Sequence, residues 1–287
     1  MTTARETLPL PRSRASVGSC AWRFVRRHSL TAYALLAFAY FLLPIAVVAL
    51  FSFNNPKGRF NYVWQGFTWD NWRYWDGVPG LTDAIYRSLE IAAIASVGAT
   101  ALGTLIALAL AGQDFRGRGT TNILIFLPMS TPEVVLGASL LTLFLNLASV
   151  ITLGFWTIVL THVMFCISFV VVTVKARLIG FDRHLAEAAM DLGANEFVTF
   201  LRVTLPLLAP AILAAFLLCF ALSVDDFVIT NFNAGSTVTF PLFVWGAARV
   251  GATPQVNVIG TAIFVVAVGA MLTSVLWQMR RAPKGVA

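Results

Sequence analysis

Ionisable side chains inside long apolar runs are the first candidates for chemistry in this 287-residue sequence. The three deepest are the carboxylates Glu133, Asp225 and Asp226, and no Lys or Arg lies at a similar depth. Ionisable residues in membrane-spanning segments are costly, and by default they mark a substrate or ion pathway. Acids without nearby bases attract cations. The sequence therefore predicts that Glu133, Asp225 and Asp226 line a path for a small cationic substrate.

Each of these acids also has a structural alternative. Glu133 follows Pro128 and Pro132, which remove backbone donors and kink or break a helix. Counted from residue 121, Glu133 would lie about 18 Å along a helix and past the membrane midplane, where broken helices commonly line a cavity. A protonated carboxyl group bonded to a freed backbone group is the equally favoured alternative.

Asp225 and Asp226 are adjacent, so on one helix their side chains would point about 100° apart. Only one of them can then face a narrow pore. The other is expected to cap a helix, to meet Arg249, or to lie at the outer membrane boundary. His162, in another apolar run, is expected to hydrogen-bond between helices rather than to relay protons.

The elements that carry these residues are predicted to be transmembrane helices. The chain is 58% hydrophobic and 11% charged, with a mean hydropathy of +0.80, whereas soluble domains are about one-quarter charged. A helix crosses a bilayer with about 20 apolar residues, and six segments qualify: 30–53, 86–111, 121–147, 154–175, 207–232 and 257–279. The sequence thus predicts an all-α integral membrane protein with one six-helix domain over 30–279, a basic tail at 1–29 and a short tail at 280–287.

The distribution of basic residues predicts the orientation. Only Lys57, Arg59, Arg73, Arg87 and Arg249 fall on one side, and the other 15 of the 20 Lys and Arg residues fall on the opposite side. Since basic residues concentrate in short cytoplasmic loops, both termini are predicted in the cytoplasm of a bacterium, with the chain in its inner membrane. The same bias explains the net charge of +7 without a nucleic-acid partner, which would need basic residues clustered on one face.

Two further patterns concern packing and the predicted outer surface. Small residues recur every fourth position and form one face of the second span: Ala95, Ala99, Gly103, Ala107 and Ala111. Such faces let helices approach closely.

The predicted outer loop, 54–85, is rich in Trp and Tyr, which favours an interfacial aromatic belt over a docking surface for an external partner. Cys166 and Cys219 lie in apolar runs and are interpreted as buried small side chains, so no metal site is predicted.

The longest predicted cytoplasmic loop, 176–206, has the pattern of two short helices. Asp182 can cap the first helix, Gly193 can end it in a left-handed conformation, and Asn195 can cap a second helix that runs toward Pro206. Apolar residues recur at helical spacing in the first helix: Phe181, Leu185, Ala188, Ala189 and Leu192.

The stretch 187–206, EAAMDLGANEFVTFLRVTLP, resembles the EAA loop of binding-protein-dependent ABC importer permeases. Its spacing is similar throughout: Glu187, Ala188 and Ala189, three residues, Gly193, nine residues, an aliphatic residue, one more, then Leu205 and Pro206. The one departure is Val203, where the family usually has Ile. Without the full spacing, an ordinary capped surface helix would be the preferred interpretation.

The resemblance implies a type I ABC importer permease bundle and a set of partners. In that family the loop forms a coupling helix that docks on the ATP-binding subunit, with Glu187 as a contact, Ala188 and Ala189 allowing close docking, and Gly193 supplying the turn. It further implies two ATP-binding subunits, a second homologous permease and an extracytoplasmic substrate-binding protein. ATP and Mg would be used by the partner ATPase, since this chain lacks a GxxxxGK[ST] phosphate loop. The chain would bind no cofactor directly and would not be an enzyme.

Further segments resemble the spermidine/putrescine branch of these permeases, and specifically its second permease subunit. They are FSFNNP at 51–56, DFRGR at 114–118, LPMSTPEVVLG at 127–137, SVDDFVIT at 223–230 and TFPLFVWGAARVGATPQVN at 239–257. Polyamine import is therefore the leading prediction, with permeases for iron, opines or other small solutes as alternatives. An ion-gradient-driven carrier is less favoured because no clear internal repeat is visible. A membrane-embedded enzyme is less favoured still, because no catalytic grouping is readable.

Overall fold

The computed structural model of the chain describes residues 17–58, 60–112, 115–147, 151–180, 182, 184–251 and 253–281. These residues are largely helical, and the β-structure among them is a single isolated bridge between Asn54 and Phe67. The described helices are α1 (Val17–Phe51), α2 (Asp70–Arg73), α3 (Leu81–Gly112), α4 (Arg118–Ser130), α5 (Glu133–Asn146), α6 (Phe155–Ile179), α7 (His184–Asp191), α8 (Glu196–Thr199), a π-helix (Phe200–Thr204), α9 (Leu205–Asp225), α10 (Val228–Asn233), α11 (Phe240–Val250) and α12 (Pro254–Arg281).

Five described helical segments are long and apolar enough to cross a membrane. They are His28–Phe51, Leu81–Gly112, Phe155–Ile179, Glu196–Asp225 and Pro254–Thr273. The pair α4 and α5 also qualifies as one apolar unit but is bent by 106°. The predicted third span, 121–147, is thus a broken element, and the described residues contain six candidate spans if this bent pair crosses the membrane as one.

The prolines predicted to disturb the third span lie at its bend. Thr131 precedes Pro132 and is extended, with φ −80° and ψ 134°, because a residue before proline is disfavoured in the helical region. The Thr131 hydroxyl donates to the carbonyl of Leu127 at 2.7 Å and helps to satisfy the end of α4. The predicted distance of about 18 Å for Glu133 assumed one straight helix from residue 121, and that assumption is wrong because the helix bends by 106° before Glu133.

The core lies where α3, α6 and α9 pack together. Ala95, Ala99, Gly103 and Ala107 are buried, which confirms that most of the predicted small-residue face is used for packing. A Cβ atom added at Gly103 would lie 2.6 Å from the Cβ of Val170 on α6. Only glycine permits this approach of the two helices.

The fifth predicted span, 207–232, differs from the structure at both ends. Its helix begins earlier, at Glu196, and widens into a π-turn just before Pro206. Proline has no N–H to donate to Arg202, which favours such a local rearrangement. The helix then ends at Asp225, and Asp226 is extended with ψ 120°. The prediction that Asp225 and Asp226 lie on one helix is therefore wrong.

Other predicted boundaries shift by smaller amounts. The helix of the first span begins at Val17, within the predicted tail 1–29. α3 begins at Leu81, so the predicted outer loop 54–85 ends earlier. α6 continues to Ile179, which shortens the predicted cytoplasmic loop 176–206 at its start.

The predicted outer loop is a folded element with its own hydrogen bonds. The amide of Asn54 donates to Asn61 Oδ1 at 2.6 Å, and the amide of Asn71 donates to the carbonyls of Ser52 and Asn54 at 2.9 and 2.7 Å. The ring of Phe53 packs against Phe67, Trp69 and Trp72. Several rings of this loop remain exposed, including Trp69. An interfacial belt and a docking surface both require exposed rings, so both interpretations remain open.

The orientation predicted from the basic residues can be tested by labelling. Ser236 is exposed in the loop between α10 and α11, on the predicted outer side. In a cysteine-free background, Ser236→Cys should react with a membrane-impermeant thiol reagent added to intact cells. Native Cys20 alone, and Glu196→Cys alone, should react only after permeabilisation. The reverse labelling pattern would overturn the orientation.

Candidate coupling surface and substrate path

The first helix of the predicted coupling loop is capped at both ends as the sequence predicts. The backbone N–H of His184 donates to Asp182 Oδ1 at 3.0 Å. Gly193 is left-handed with φ +91°. The Gly193 N–H donates to the Met190 carbonyl at 2.9 Å and the Ala194 N–H to the Ala189 carbonyl at 3.1 Å. This pair of bonds is a Schellman motif, which satisfies the last carbonyls of α7.

A continuous helix connects this loop to the fifth span. Asn195 accepts the backbone N–H of Val198 at 2.8 Å and caps α8, as predicted. From Glu196 the chain remains helical through the π-turn to Asp225. Only the short turn at residues 192–195 separates α7 from this continuous helix.

The surface of the loop is accessible and carries both apolar and charged side chains. Leu185 is 49% exposed and Leu192 is 91% exposed, while Phe181 lies outside the described residues. The Glu187 carboxylate pairs with His184 Nδ1 at 3.0 Å and keeps 60% of its side chain exposed. Contiguous exposed apolar residues beside charged groups are typical of a protein–protein contact. We call Leu185, Glu187, Met190, Leu192 and Phe197 the coupling surface.

Asp226 is a structural residue at the break after α9. Its carboxylate accepts the backbone N–H groups of Ile229 at 3.3 Å and Thr230 at 2.8 Å, and the Thr230 hydroxyl at 2.7 Å. It therefore caps α10, which is one of the three roles that the sequence left open for the second aspartate.

His162 connects three helices next to that cap. Its side chain on α6 is 2% exposed. Nδ1 lies 2.6 Å from the Ser223 hydroxyl of α9, and Nε2 lies 3.0 Å from the Thr230 hydroxyl of α10 and 3.3 Å from Asp226 Oδ2. The prediction that His162 hydrogen-bonds between helices is confirmed.

Asp225, in contrast, is exposed at the end of α9. It lines a groove of about 400 Å³ between α9, α11 and α12, together with Phe227 and Trp245. Asp225 forms no ion pair within the described residues. Of the two adjacent acids, Asp225 is thus the one whose carboxylate is available to a ligand.

Glu133 is the first residue of α5 and is exposed. α5 packs against α10 at Gly137, where an added Cβ would lie 2.8 Å from the ring of Phe232. The amide of Asn233 donates to the Gly137 carbonyl at 3.3 Å. Glu133 therefore lies on an element adjacent to the one that Asp226 caps, but it makes no described contact with Asp225 or Asp226.

The sequence analysis missed one residue of the groove, Trp245. Trp245 and Arg249 lie four residues apart on α11, a spacing that places side chains on one helix face, and the guanidinium carbon lies 4.8 Å from the centre of the Trp245 ring. The i,i+4 spacing of Trp245 and Arg249 was a readable signal. The position of Trp245 on the same groove as Asp225 could not be read from the sequence.

These features define a multi-pass helical membrane protein in which a capped, exposed helical loop is connected directly to a span. Residues 99–286 match the family model described as "Binding-protein-dependent transport system inner membrane component". The chain belongs to this family and is a multi-pass inner-membrane protein.

Similar proteins are known in sequence and in structure. The chain is 39% identical over 240 residues to the spermidine/putrescine transport system permease protein PotC of Escherichia coli K12, covering 83% of this chain and 89% of that protein. It is 38% identical over 258 residues to the putrescine transport system permease protein PotI of the same strain, covering 87% and 90%. A chain of a bacterial alginate importer shares the fold, with a TM-score of 0.66 at 14% identity over 92% of this chain and 99% of the other.

Proposed function

We propose that this chain is a non-enzymatic permease subunit of an ATP-driven polyamine importer and that it moves spermidine or putrescine inward by alternating access. The observation that carries the proposal is the coupling surface, which is exposed on α7, the turn that follows it and α8, with α8 running by continuous helix into α9. Such an arrangement converts motion of a docked partner into motion of a span. The names of the relatives supply the substrate class.

The proposed partners follow from the same surface and from the family. Two copies of an ABC ATP-binding subunit would hydrolyse ATP with Mg, and one of them would contact Glu187 on the coupling surface. A second homologous permease would complete the path, and an extracytoplasmic binding protein would deliver the substrate. The solved alginate importer was also determined in complex with a periplasmic protein bound to an alginate pentasaccharide.

The exposed acids support a cationic substrate. Asp225 and Glu133 both present exposed carboxylates, and a fixed negative charge attracts a multivalent cation. Asp226 does not belong to the proposed path, because its oxygens are occupied in capping α10.

Reconstitution with the partner subunits tests the proposed function. Proteoliposomes that contain both permeases, the ATPase and the binding protein should accumulate radiolabelled spermidine or putrescine when ATP and Mg are supplied. Excess unlabelled polyamine should compete, whereas ferric iron or an opine should not.

Two outcomes would contradict the proposal. Uptake that continues without ATP but stops when ionophores collapse the ion gradients would indicate a secondary transporter. ATP-dependent uptake of iron or an opine, with no polyamine flux, would retain the permease class and reject the substrate.

A further inference from the structure

A groove between α4 and α6 combines one ammonium group with an apolar lining. We call it the α4–α6 groove. Its volume is about 250 Å³, and Lys175 and Asn122 are the polar residues among those that line it. The other lining residues are apolar: Ile125, Phe126, Val171, Val172, Ala176 and Ile179. A second groove of about 280 Å³ shares Asn122 and Phe126 with the first and extends along α4 to Ser130. The two grooves together form an elongated apolar surface beside a basic side chain.

The ammonium group of Lys175 has donors left for a ligand. Lys175 is half-buried on α6, and its Nζ donates to Asn122 Oδ1 on α4 at 2.8 Å. It forms no ion pair with a carboxylate in the part of the chain that the structure describes. An ammonium group carries three N–H donors. A positive charge that is partly withdrawn from water and lacks a counter-ion favours an anionic ligand.

The α4–α6 groove lies at the predicted cytoplasmic end of both helices. Lys175 is the last residue of the predicted fourth span, 154–175, and Arg177 follows it on the last turn of α6. Arg118 is the first residue of α4, one turn before Asn122. The cytoplasmic leaflet has a negative surface potential, and basic pockets between transmembrane helices on that side bind anionic lipid head groups.

The face of α4 beside the groove is open among the described residues. Ile123 is 69% exposed and Leu127 is 57% exposed, and no residue of α4 is buried. Exposed apolar surface of this kind needs an apolar cover. Acyl chains supply that cover within a bilayer, and a lipid phosphate would supply the counter-ion that Lys175 lacks.

We propose that the α4–α6 groove binds an anionic phospholipid, with Lys175 contacting the phosphate and the apolar residues of α4 and α6 contacting an acyl chain. Asn122 holds the ammonium group between the two helices, so the charge is in place before the lipid arrives. The bound lipid contacts both helices and stabilises α4, the first half of the bent span, against α6. A free phosphate would satisfy the ammonium group but would leave the apolar lining uncovered.

Site-directed photo-cross-linking of lipid to the purified complex of the permease and its partner subunits tests this site. Phosphatidylglycerol with a photoreactive acyl chain should cross-link to peptides of α4 and α6. Unlabelled phosphatidylglycerol should compete at a concentration roughly fivefold lower than phosphatidylcholine with the same acyl chains. Glycerol 3-phosphate, which has the charge without the chains, should not compete.

Variants at the groove separate its charge from its shape. Lys175→Met should lose the preference for phosphatidylglycerol, whereas Lys175→Arg should keep it. Asn122→Asp retains the lysine but places a carboxylate beside it as an internal counter-ion, so the preference should also be lost while the helices stay packed. Arg177→Gln is the matched control, because it removes one charge from an exposed position of α6 that does not line the groove. It should keep most of the preference.

Thermal unfolding gives an independent measurement. Because a ligand that binds only the folded protein stabilises it, phosphatidylglycerol should raise the Tm of the wild-type complex more than phosphatidylcholine does. This difference should disappear in Asn122→Asp. The expected shift in Tm requires no transport, so it does not depend on which solute the permease carries.

Four outcomes would overturn the proposal. Equal competition by the two lipids in the wild type would remove recognition of the anionic head group. Asn122→Asp with the wild-type preference would exclude Lys175 as the contact. Competition by glycerol 3-phosphate would assign the site to a soluble anion. Absence of cross-links on α4 and α6 of the assembled complex would indicate that a protein partner covers the groove.

Discussion

Gly193→Val is expected to abolish ATP-driven uptake while the protein still inserts and reaches normal abundance. Gly193 has φ +91° and ends α7 in a Schellman motif. An added Cβ would meet nothing within 4 Å, so the effect comes from the backbone alone. A β-branched residue in the left-handed region costs about 1–2 kcal/mol or more, enough to reorient α7 and withdraw Glu187 and Leu192 from the ATPase. Uptake and transport-stimulated ATP hydrolysis should therefore fall together in reconstituted complexes.

Gly193→Asn is the matched control, because asparagine tolerates the left-handed conformation better than other non-glycine residues. It should keep most of the uptake. The coupling role of the loop would be rejected if Gly193→Val, at wild-type abundance, imported at the wild-type rate. Equal loss in the Asn and Val variants would indicate that the space at residue 193 matters and the backbone conformation does not.

Asp226→Ala is expected to destabilise the permease, because one carboxylate satisfies three donors there and also contacts His162. Loss of a helix cap together with unpaired buried groups costs about 1–3 kcal/mol. The purified complex should melt at a lower temperature, and less of it should assemble. Asp226→Asn keeps one acceptor oxygen and should have a smaller effect. Thermal unfolding in detergent, followed by size-exclusion chromatography, measures both changes.

Asp225→Asn provides the neighbouring control with the opposite result. Its side chain is exposed on the groove and forms no described ion pair. The variant should melt like the wild type but import polyamine more slowly. If Asp226→Ala melts normally and loses only flux, Asp226 lines the substrate path and its capping bonds are dispensable.

Features that depend on nearby residues could be predicted from the sequence alone. The coupling loop was predicted with both caps and its left-handed turn, because Asp182, Gly193 and Asn195 act on groups at most five residues away. The spans were predicted because a bilayer selects long apolar segments regardless of their partners. Pro128 and Pro132 predicted a kink or break in the helix of the third span, since proline restricts the adjacent backbone.

The roles of the three acids depend on contacts between distant segments and could not be predicted from the sequence. Asp226 caps α10 because its carboxylate contacts both the start of that helix and His162, which lies 64 residues earlier in the chain. Asp225 became the accessible acid because α9 ends there and α11 brings Trp245 to the same groove. The 106° bend decided where Glu133 lies. Local rules give the position of a break in a helix, but the direction of the chain after the break depends on packing between distant segments, which a linear pattern does not encode.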